Sequence, residues 1–471
     1  MAETRIDLAR ARAHWFRRQG LAEPLGLPLP ALVAITGWLR TLGGADVYLA
    51  ARARAPGMRR ADLDAAVEKS ALRVVPAVRG CIYLVPEADV PLTLRVASGM
   101  WWPRTDRELE RAGSSWEEVE EVAAAVLGVL RDGPRSPDGI RKALPDGAVR
   151  SLGERGKKIG LSSPLPVALR LLEFDDKIER RLETGRLDSE RYVWGIAPAE
   201  TVRVPDEPVA RWARLLEIFL GFAGPATLAQ FAAWSGLPQR AAKEAQSRID
   251  AVAVAVEGLD DEALVLRSDL EALTAAPAGD AISLLSFEDN FLVLHGGPAV
   301  VTDPAQHGRE VEVWGSSKAT TLGEAAHLAH RTVVVGGVVQ GFWEVDLDAG
   351  TGVWASFGDV DAATRARVDE QVAEAARFLL EDVGHARGFS LDTDEDIRRR
   401  AAHVKALGAA KKAAPKKRAV AAAPKTKKTK APAKKPAAAP KTKSKKPAAK
   451  KAPAKKPAAK KPAAKKPRKK G

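Results

Sequence analysis

Three carboxylates occupy positions where an acidic side chain could cap a helix, form an ion pair or take part in catalysis. Asp46 begins the segment DVYLAARAR, and Glu288 and Asp289 interrupt the apolar run SFEDNFLVL. A carboxylate held beside a reacting bond accepts a proton or orients a water molecule. Asp46 follows two glycines, as a helix N-cap residue often does, and the 288–289 pair stands at an apparent junction between elements. We predict capping or structural ion pairing for all three, with catalysis as the alternative.

A group of histidines offers the spacing of one helix face. Glu324, His327 and His330 fall at positions i, i+3 and i+6 in GEAAHLAH, which places neighbours on adjoining parts of a helix. A metal site needs three or four converging ligands, and only the distant His295 or His307 could join these three. We therefore predict surface or interface histidines, with no metal and no cofactor.

Cys81 is the single cysteine, so an internal disulfide is excluded. Apolar residues flank it in GCIYLV, which predicts a buried and inert thiol and not a nucleophile. The first residues lack the apolar core of a signal peptide, and no run of about 18 apolar residues occurs. These features predict a cytoplasmic protein.

Basic side chains form clusters that suit phosphate binding, because phosphates attract several cations placed near one another. The alternative for each cluster is a solvated surface charge. The candidate DNA contacts are Arg17, Arg18, Arg150, Arg155, Lys157, Lys158, Arg180, Arg181, Arg186, Arg191, Arg240, Lys243 and Arg248.

The last 63 residues, 409–471, differ in composition from the rest of the chain. They contain 26 basic residues, 10 prolines and 21 alanines, and neither acidic nor aromatic side chains. Residues 1–408 hold 49 basic and 60 acidic side chains, a formal net charge of −11. The Lys/Ala/Pro repeats resemble linker-histone tails and predict a disordered polycation, represented by Lys411, Lys412, Lys465 and Lys466, that binds nucleic acid without sequence preference. RNA or an anionic membrane would also attract such a tail.

The elements that position these residues follow a recurring order. Three times, an amphipathic helix is followed by a short helix, a third helix and two strands, the order of a winged helix-turn-helix. In the second copy Ser115 and Gly133 bound the first helix, and the third helix is so apolar that we expect it to be buried. The arginines in the strand hairpin, or wing, of this copy are then the better DNA contacts: Arg180, Arg181, Arg186 and Arg191.

The predicted fold class is α+β, with three tandem winged helices, a mixed α/β C-terminal domain and a disordered basic tail. The predicted domains are 1–95, 96–200, 201–269 and 270–408, followed by the tail at 409–471. In the third copy the third helix places Ala241, Ala242, Ala245 and Ile249 on one stripe.

Several segments in this order resemble one known family. They are HWFRRQGL, RGCIYLVP, SFEDNFLVL, and VVTDP followed by RTVVVGGVVQGFWE. Together they are similar to the AlkZ-like (YcaQ-type) winged-helix DNA glycosylases, which repair alkylated and crosslinked DNA. The resemblance implies tandem winged helices around a DNA-binding surface.

The family's catalytic feature is a Gln-x-Gln or Gln-x-Asp motif that positions water at the glycosidic bond. Aligning VAITGWLRTLGGADVYLAARAR on Gly37 places Leu39 and Thr41 at the two motif positions. Leucine cannot accept a proton, and threonine substitutes poorly for a carboxamide or carboxylate. The resemblance therefore implies the fold and DNA binding more directly than catalysis.

We expect a nucleoid-associated protein that binds double-stranded DNA, has no obligatory protein partner and shows little base excision. One alternative is a DNA glycosylase that uses other catalytic groups, such as Asp46, Glu288 or Asp289. Another is a transcriptional regulator, for which Arg240, Lys243 and Arg248 in the third copy are the only suitable recognition-helix residues.

Overall fold

The computed structural model describes residues 4–199, 202–316 and 318–413. Its first part contains one short N-terminal strand and a three-stranded antiparallel sheet of order β2-β4-β3 among four helices. The elements are β1 Arg5–Ile6, α1 Leu8–Arg18, α2 Leu29–Thr36, β2 Leu39–Arg40, α3 Asp46–Arg54, α4 Arg60–Glu68, β3 Leu72–Pro76 and β4 Ile82–Pro86.

The second part consists of five helices and a two-stranded hairpin. Ser115 caps α6 by accepting the Glu118 N–H at 3.3 Å, as the sequence predicts. The third helix of the second predicted copy corresponds to α9. Its expected burial is confirmed, because Leu165, Leu169 and Leu172 are buried. The elements are α5 Val90–Ala112, α6 Trp116–Leu130, α7 Pro137–Ala143, α8 Gly153–Lys157, α9 Leu165–Phe174, β5 Ile178–Leu182 and β6 Tyr192–Ile196.

The third part is built around a sheet of order β1-β8-β9-β7, in which β1 runs parallel to β8. The predicted alanine stripe of the third helix is buried, at Ala241, Ala242 and Ala245. The elements are α10 Pro208–Ala223, β7 Ala226–Thr227, α11 Leu228–Ser235, α12 Gln239–Gln246, β8 Ala251–Val256 and β9 Ala263–Leu266.

The fourth part is a mixed α/β arrangement with a four-stranded antiparallel sheet of order β10-β13-β14-β15. Gly336 and Gly337 connect β13 to β14 with φ values of 57° and 83°, which glycine adopts without steric cost. The elements are α13 Leu270–Ala275, β10 Ile282–Leu285, α14 Asn290–Val293, β11 Glu310–Val311, β12 Thr320–Thr321, β13 Arg331–Val335, β14 Val338–Asp346, β15 Thr351–Ser356, α15 Ala362–Arg377, a π-helical turn Phe378–Val383 and α16 Asp394–Ala413.

Two sequence predictions for this part are wrong. The segment GEAAHLAH is not helical, so Glu324, His327 and His330 do not share a helix face. Helix α16 continues through Ala413 and so includes the first five residues of the predicted tail, 409–413. Residues 414–471, with Lys465 and Lys466, lie outside the described residues, as do the side chains of Lys411 and Lys412.

Apolar packing crosses the predicted domain boundaries. One buried cluster joins Leu63 of α4, Leu187 of the β5–β6 hairpin, Trp343 of β14 and Ile397 of α16. A cluster around α6 and α9 draws its buried members from residues 109–194. Within the described part of the chain, every helix is too short or too polar to cross a lipid bilayer.

Candidate active site

A cavity of about 220 Å³ lies where segments distant in sequence meet. Strands β2 and β4, helix α11, the start of α14 and the loop before β13 form its walls. This volume is below the range of about 300–1,000 Å³ that pockets for drug-sized ligands occupy, so it suits a single small ring system. Its polar and aromatic lining includes Arg40, Arg79, Tyr83, Gln230, Trp234, Glu288, Asn290 and His327.

The pairing of β2 with β4 decides which side chains reach this cavity. Leu39 lies opposite Leu84, and Arg40 lies opposite Tyr83. Successive side chains of a strand point to opposite faces, and directly opposed residues share a face. Leu39 and Leu84 therefore pack in the apolar core, while Arg40 and Tyr83 line the cavity.

Glu288 is the carboxylate of the cavity wall. Its Oε2 accepts a hydrogen bond from Arg40, and its Oε1 lies 2.8 Å from Nδ1 of His327. The Glu288 side chain is 6% exposed, whereas that of His327 is 37% exposed. The site thus combines a sheltered proton acceptor, a fixed cation and a more accessible imidazole.

An aromatic wall faces these polar groups. The Trp234 ring contacts Trp38 and Phe219, with centroids 5.5 Å and 5.0 Å apart, and this packing fixes its orientation. On the opposite side, burial raises the pKa of Tyr83 although Arg79 and Arg40 act in the other direction. Tyr83 therefore remains a neutral phenol that can donate a hydrogen bond.

The amide of Asn290 is held by the backbone, with Nδ2 donating to the Trp38 carbonyl at 3.0 Å. This bond connects α14 to the chain just before β2 and fixes the separation between Arg40 and Glu288. A rigid frame of this kind is what water positioning requires.

Comparison with known proteins places this cavity in a family context. The family model described as "DNA glycosylase AlkZ-like" matches residues 40–378, a span that includes each of the cavity residues named above. The chain belongs to the AlkZ-like DNA glycosylase family. Among solved structures it is similar to the Streptomyces sahachiroi DNA glycosylase AlkZ, with a TM-score of 0.62 and 19% identity. The match covers 82% of this chain and 98% of that one and shows a common fold; no curated protein sequence matches.

Leu39 and Thr41, the residues aligned with the AlkZ-like motif, are both buried, at 2% and 3% exposure. Leu39 lines a small pocket of about 20 Å³, and Thr41 Oγ1 donates to the Ile82 carbonyl at 3.4 Å. Neither lines the 220 Å³ cavity. The intervening Arg40 does, because one step along a strand reverses the side-chain direction.

Asp46 and Asp289 have structural positions in this AlkZ-like chain. The predicted cap is wrong for Asp46: Ala45 occupies the N-cap, and Asp46 Oδ1 accepts from Arg331 Nη2 at 2.7 Å. Burial raises the pKa of Asp46, and Arg331 opposes that effect. Asp289 caps α14 through the Phe291 N–H and accepts two hydrogen bonds from Arg54, each 2.8 Å long, so its predicted structural role is confirmed.

The histidines of the sequence prediction are dispersed, and only His327 lines the cavity. His330 stacks on Phe342, with ring centroids 4.8 Å apart, and His295 stacks on Trp15 at 3.9 Å. Burial lowers the pKa of His295 to about 3. His307 approaches the Ala299 carbonyl at 3.0 Å.

Two further residues of the sequence prediction lie apart from this cavity. Glu324 accepts from Thr320 Oγ1 at 3.3 Å. Cys81 is half-buried and not fully buried, because it precedes β4 at the end of a turn.

The predicted DNA contacts fall into three groups according to their hydrogen-bond and ion-pair partners. Three are engaged in internal contacts: Arg18 with Asp269 and the Gly221 carbonyl, Arg180 with Glu173, and Arg186 with Asp188. Six form ion pairs at the surface: Arg17, Arg150, Lys157, Arg181, Arg240 and Arg248. Within residues 4–199, 202–316 and 318–413, the side chains without a hydrogen bond or ion pair include Arg155, Lys158, Arg191 and Lys243.

Sequence reasoning missed Arg40, Tyr83 and Trp234 as members of the site. Alternation within a strand could have indicated Arg40, had the register of β2 been known. No spacing in the sequence connects Arg40 with Glu288 or Glu288 with His327, because these contacts depend on tertiary packing.

Proposed function

We propose that this AlkZ-like protein binds duplex DNA and hydrolyses the N-glycosidic bond of a modified nucleotide that it extrudes into the cavity. The observation that carries the proposal is the position of Glu288, whose two oxygens face Arg40 and His327 within a cavity of small volume. The sequence-based expectation of little excision rested on Leu39 and Thr41. Glu288 provides the polar group that those residues lack.

In the proposed reaction, Glu288 Oε1 accepts a proton from water as the water oxygen attacks C1′ of the extruded nucleotide. The bond between C1′ and the base nitrogen breaks, and the electron pair leaves with the base. Arg40 fixes the Glu288 carboxylate, and His327 limits where water can sit. Extrusion costs a few kcal/mol of lost stacking, which contact between the base and Trp234 offsets.

Three sets of helices, each followed by a β-hairpin, support the proposed winged-helix organisation. Three helices precede an antiparallel hairpin in two of the sets, α2 to α4 with β3 and β4, and α10 to α12 with β8 and β9. The remaining set, α6 to α9 with β5 and β6, contains one additional short helix, α8. The proposed domain boundaries are those of the sequence prediction: 1–95, 96–200, 201–269 and 270–408. Membership of a DNA glycosylase family supports DNA as the partner.

The proposed DNA contacts on the folded part are the unpaired cations Arg155, Lys158, Arg191 and Lys243, with surface-paired residues as secondary contacts. Arg18, Arg180 and Arg186 are not included, because internal partners hold their guanidinium groups. The Lys-rich tail adds affinity that does not depend on sequence and favours association with the nucleoid.

The test is base release from an alkylated duplex by the full-length protein, measured as free base and as abasic sites. Glu288→Gln keeps the size of the side chain and removes the proton acceptor, so we expect excision to fall at least about 100-fold. Glu120→Gln on the exposed face of α6 is the matched control and should retain full activity.

Binding to the same duplex is measured in parallel and should be unchanged in Glu288→Gln. Excision by Glu288→Gln at the unmodified rate would contradict the role of this carboxylate. Tight DNA binding without any release of alkylated bases would instead favour the binding-only function that the sequence suggests.

A further inference from the structure

Two imidazoles and a carboxylate converge away from the cavity. Glu312, His330 and His403 each direct one ligand atom to a common point, and these atoms lie within 4.8 Å of one another. Nδ1 of His403 lies 3.0 Å from Nε2 of His330 and 3.8 Å from Oε1 of Glu312. We propose that these three residues bind one zinc ion.

The three ligands come from separate elements of the fold. Glu312 follows β11, His330 immediately precedes β13, and His403 lies on α16. A hydrogen bond explains the contact between the two histidines, but 3.8 Å is too long for one between His403 and Glu312. An ion among the three satisfies all of these donor atoms together.

Other side chains orient the ligands, as neighbours of metal ligands do. Arg399 donates to Oε2 of Glu312 at 2.6 Å, which leaves Oε1 directed towards the histidines. Stacking on Phe342 fixes the ring of His330, with an angle of 21° between the planes. His403 meets His330 edge-on at 77°, a geometry in which both ring nitrogens approach the same point.

The donor set selects the metal. Two imidazole nitrogens and one carboxylate oxygen form a common zinc set, with Zn–N distances of about 2.0–2.1 Å. Two nitrogens bound tetrahedrally at that distance are about 3.4 Å apart, so the present 3.0 Å separation needs only a small adjustment. Glu312 also lines a wide surface cleft of about 770 Å³, from which solvent can supply the fourth ligand.

Zinc at this position would fasten α16 to the sheet. His403 lies on α16, six residues before the basic composition begins at 409, so the ion would anchor the helix from which the tail extends. Zinc binds the folded state through residues that are far apart in the unfolded chain, and it should therefore raise the thermal midpoint.

The test uses the full chain freed of metal with a chelator and then titrated with zinc chloride. Calorimetry should give one equivalent bound and an increased thermal midpoint, and cobalt chloride should produce the absorption spectrum of a tetrahedral Co²⁺ site. His403→Ala and Glu312→Gln alter half-buried ligands and should each weaken binding at least tenfold. His330 is buried, so it is left unchanged to avoid a folding defect.

His385→Ala is the matched control, because His385 also contacts a carboxylate, Asp188, at 2.9 Å, while no third ligand joins them among the residues that the structure describes. Its zinc affinity should equal that of the unmodified chain. Circular dichroism of the metal-free variants verifies that each is folded. Absence of stoichiometric binding, or equal affinity in the unmodified chain and His403→Ala, would overturn the proposal.

Discussion

Arg40 and Tyr83 face each other across β2 and β4, and both side chains enter the cavity that Glu288 closes. The pairing of β2 with β4 fixes the position of the Arg40 guanidinium group relative to the sheet. This group in turn holds the Glu288 carboxylate. Proposed catalysis thus depends on the register of a strand only two residues long. A shift of one residue would replace Arg40 with Leu39 or Thr41.

Arg40→Gln should reduce excision by about 10- to 100-fold, because the Glu288 carboxylate loses the partner that holds its position. Binding to undamaged duplex should change little, since one of many cations is removed. Arg131→Gln, at the exposed end of α6, serves as the control. Single-turnover excision rates and DNA affinities measure the two effects separately.

Installing glutamines at the aligned motif positions should damage the fold and not restore catalysis. Leu39 is buried in an apolar cluster, so Leu39→Gln places an amide where it has no partner. The expected loss of stability is about 2–5 kcal/mol, from lost apolar burial and the unsatisfied amide. Leu391→Gln, at a residue that is 82% exposed, should change stability by less than about 0.5 kcal/mol.

Chemical denaturation of both variants measures this prediction. A Leu39→Gln, Thr41→Gln protein that is as stable as the unmodified chain and excises bases faster would show that these residues reach the substrate.

The buried pair of Arg54 and Asp289 should be important for stability. Their side chains are 1% and 0% exposed, and removing one partner of such a pair leaves an uncompensated charge that costs about 3–5 kcal/mol. Asp289→Asn should therefore lower the free energy of unfolding strongly. Arg248→Gln, which breaks an exposed pair with Glu207, should cost at most about 1 kcal/mol. Equal effects of the two changes in urea denaturation would contradict this difference.

Asp188 should contribute to the dependence of stability on acid pH. Burial alone would raise the pKa of this carboxyl, but hydrogen bonds from His385 and Arg186 outweigh burial and lower the pKa to about 2. The usual value in unfolded chains is about 3.9. Because the folded pKa is the lower one, the stabilisation is present above about pH 4 and disappears as the pH falls towards 2.

Asp188→Asn should accordingly be less stable than the unmodified protein at pH 6, with the difference diminishing between about pH 4 and pH 2. Urea midpoints at a series of pH values test this expectation. A difference that stays constant over that range would assign the effect to packing and not to ionisation.

Removal of residues 414–471 should weaken binding to undamaged duplex and flatten the dependence of log K on log salt. The deletion removes 24 basic residues and preserves all of α16. Each phosphate contact contributes to the salt slope through released counterions. Affinities at several salt concentrations measure the effect, and the thermal midpoint of the shortened chain should stay the same. An unchanged salt slope would exclude the tail as a source of DNA affinity.

Local signals in the sequence predicted many elements correctly. The cap at Ser115 and the buried stripe of α12 depend on residues near one another in the chain. The family resemblance is confirmed over residues 40–378. These features are accessible because propensity, periodicity and turn chemistry act locally.

The site depended on information that a single sequence does not contain. Asp46 resembled a cap because it follows two glycines, but its partner Arg331 is 285 positions away. GEAAHLAH has helical spacing, yet tertiary contacts draw His327 to Glu288 and His330 to His403. Long-range ion pairs and stacking outweighed helix propensity here, since that propensity amounts to less than about 1 kcal/mol per residue.

The parallel pairing of β1 with β8 has a consequence for synthesis on the ribosome. Arg5 pairs with Ala255, so about 250 further residues must be synthesised before the partner strand of β1 is available. At about 5–20 residues per second, that interval is about 12–50 seconds. During this time α1 has no completed sheet to pack against, although the α6–α9 cluster can already form from its own residues. Once β1 adds to β8, it also covers the edge of that strand, which an incomplete chain exposes to pairing with other nascent copies.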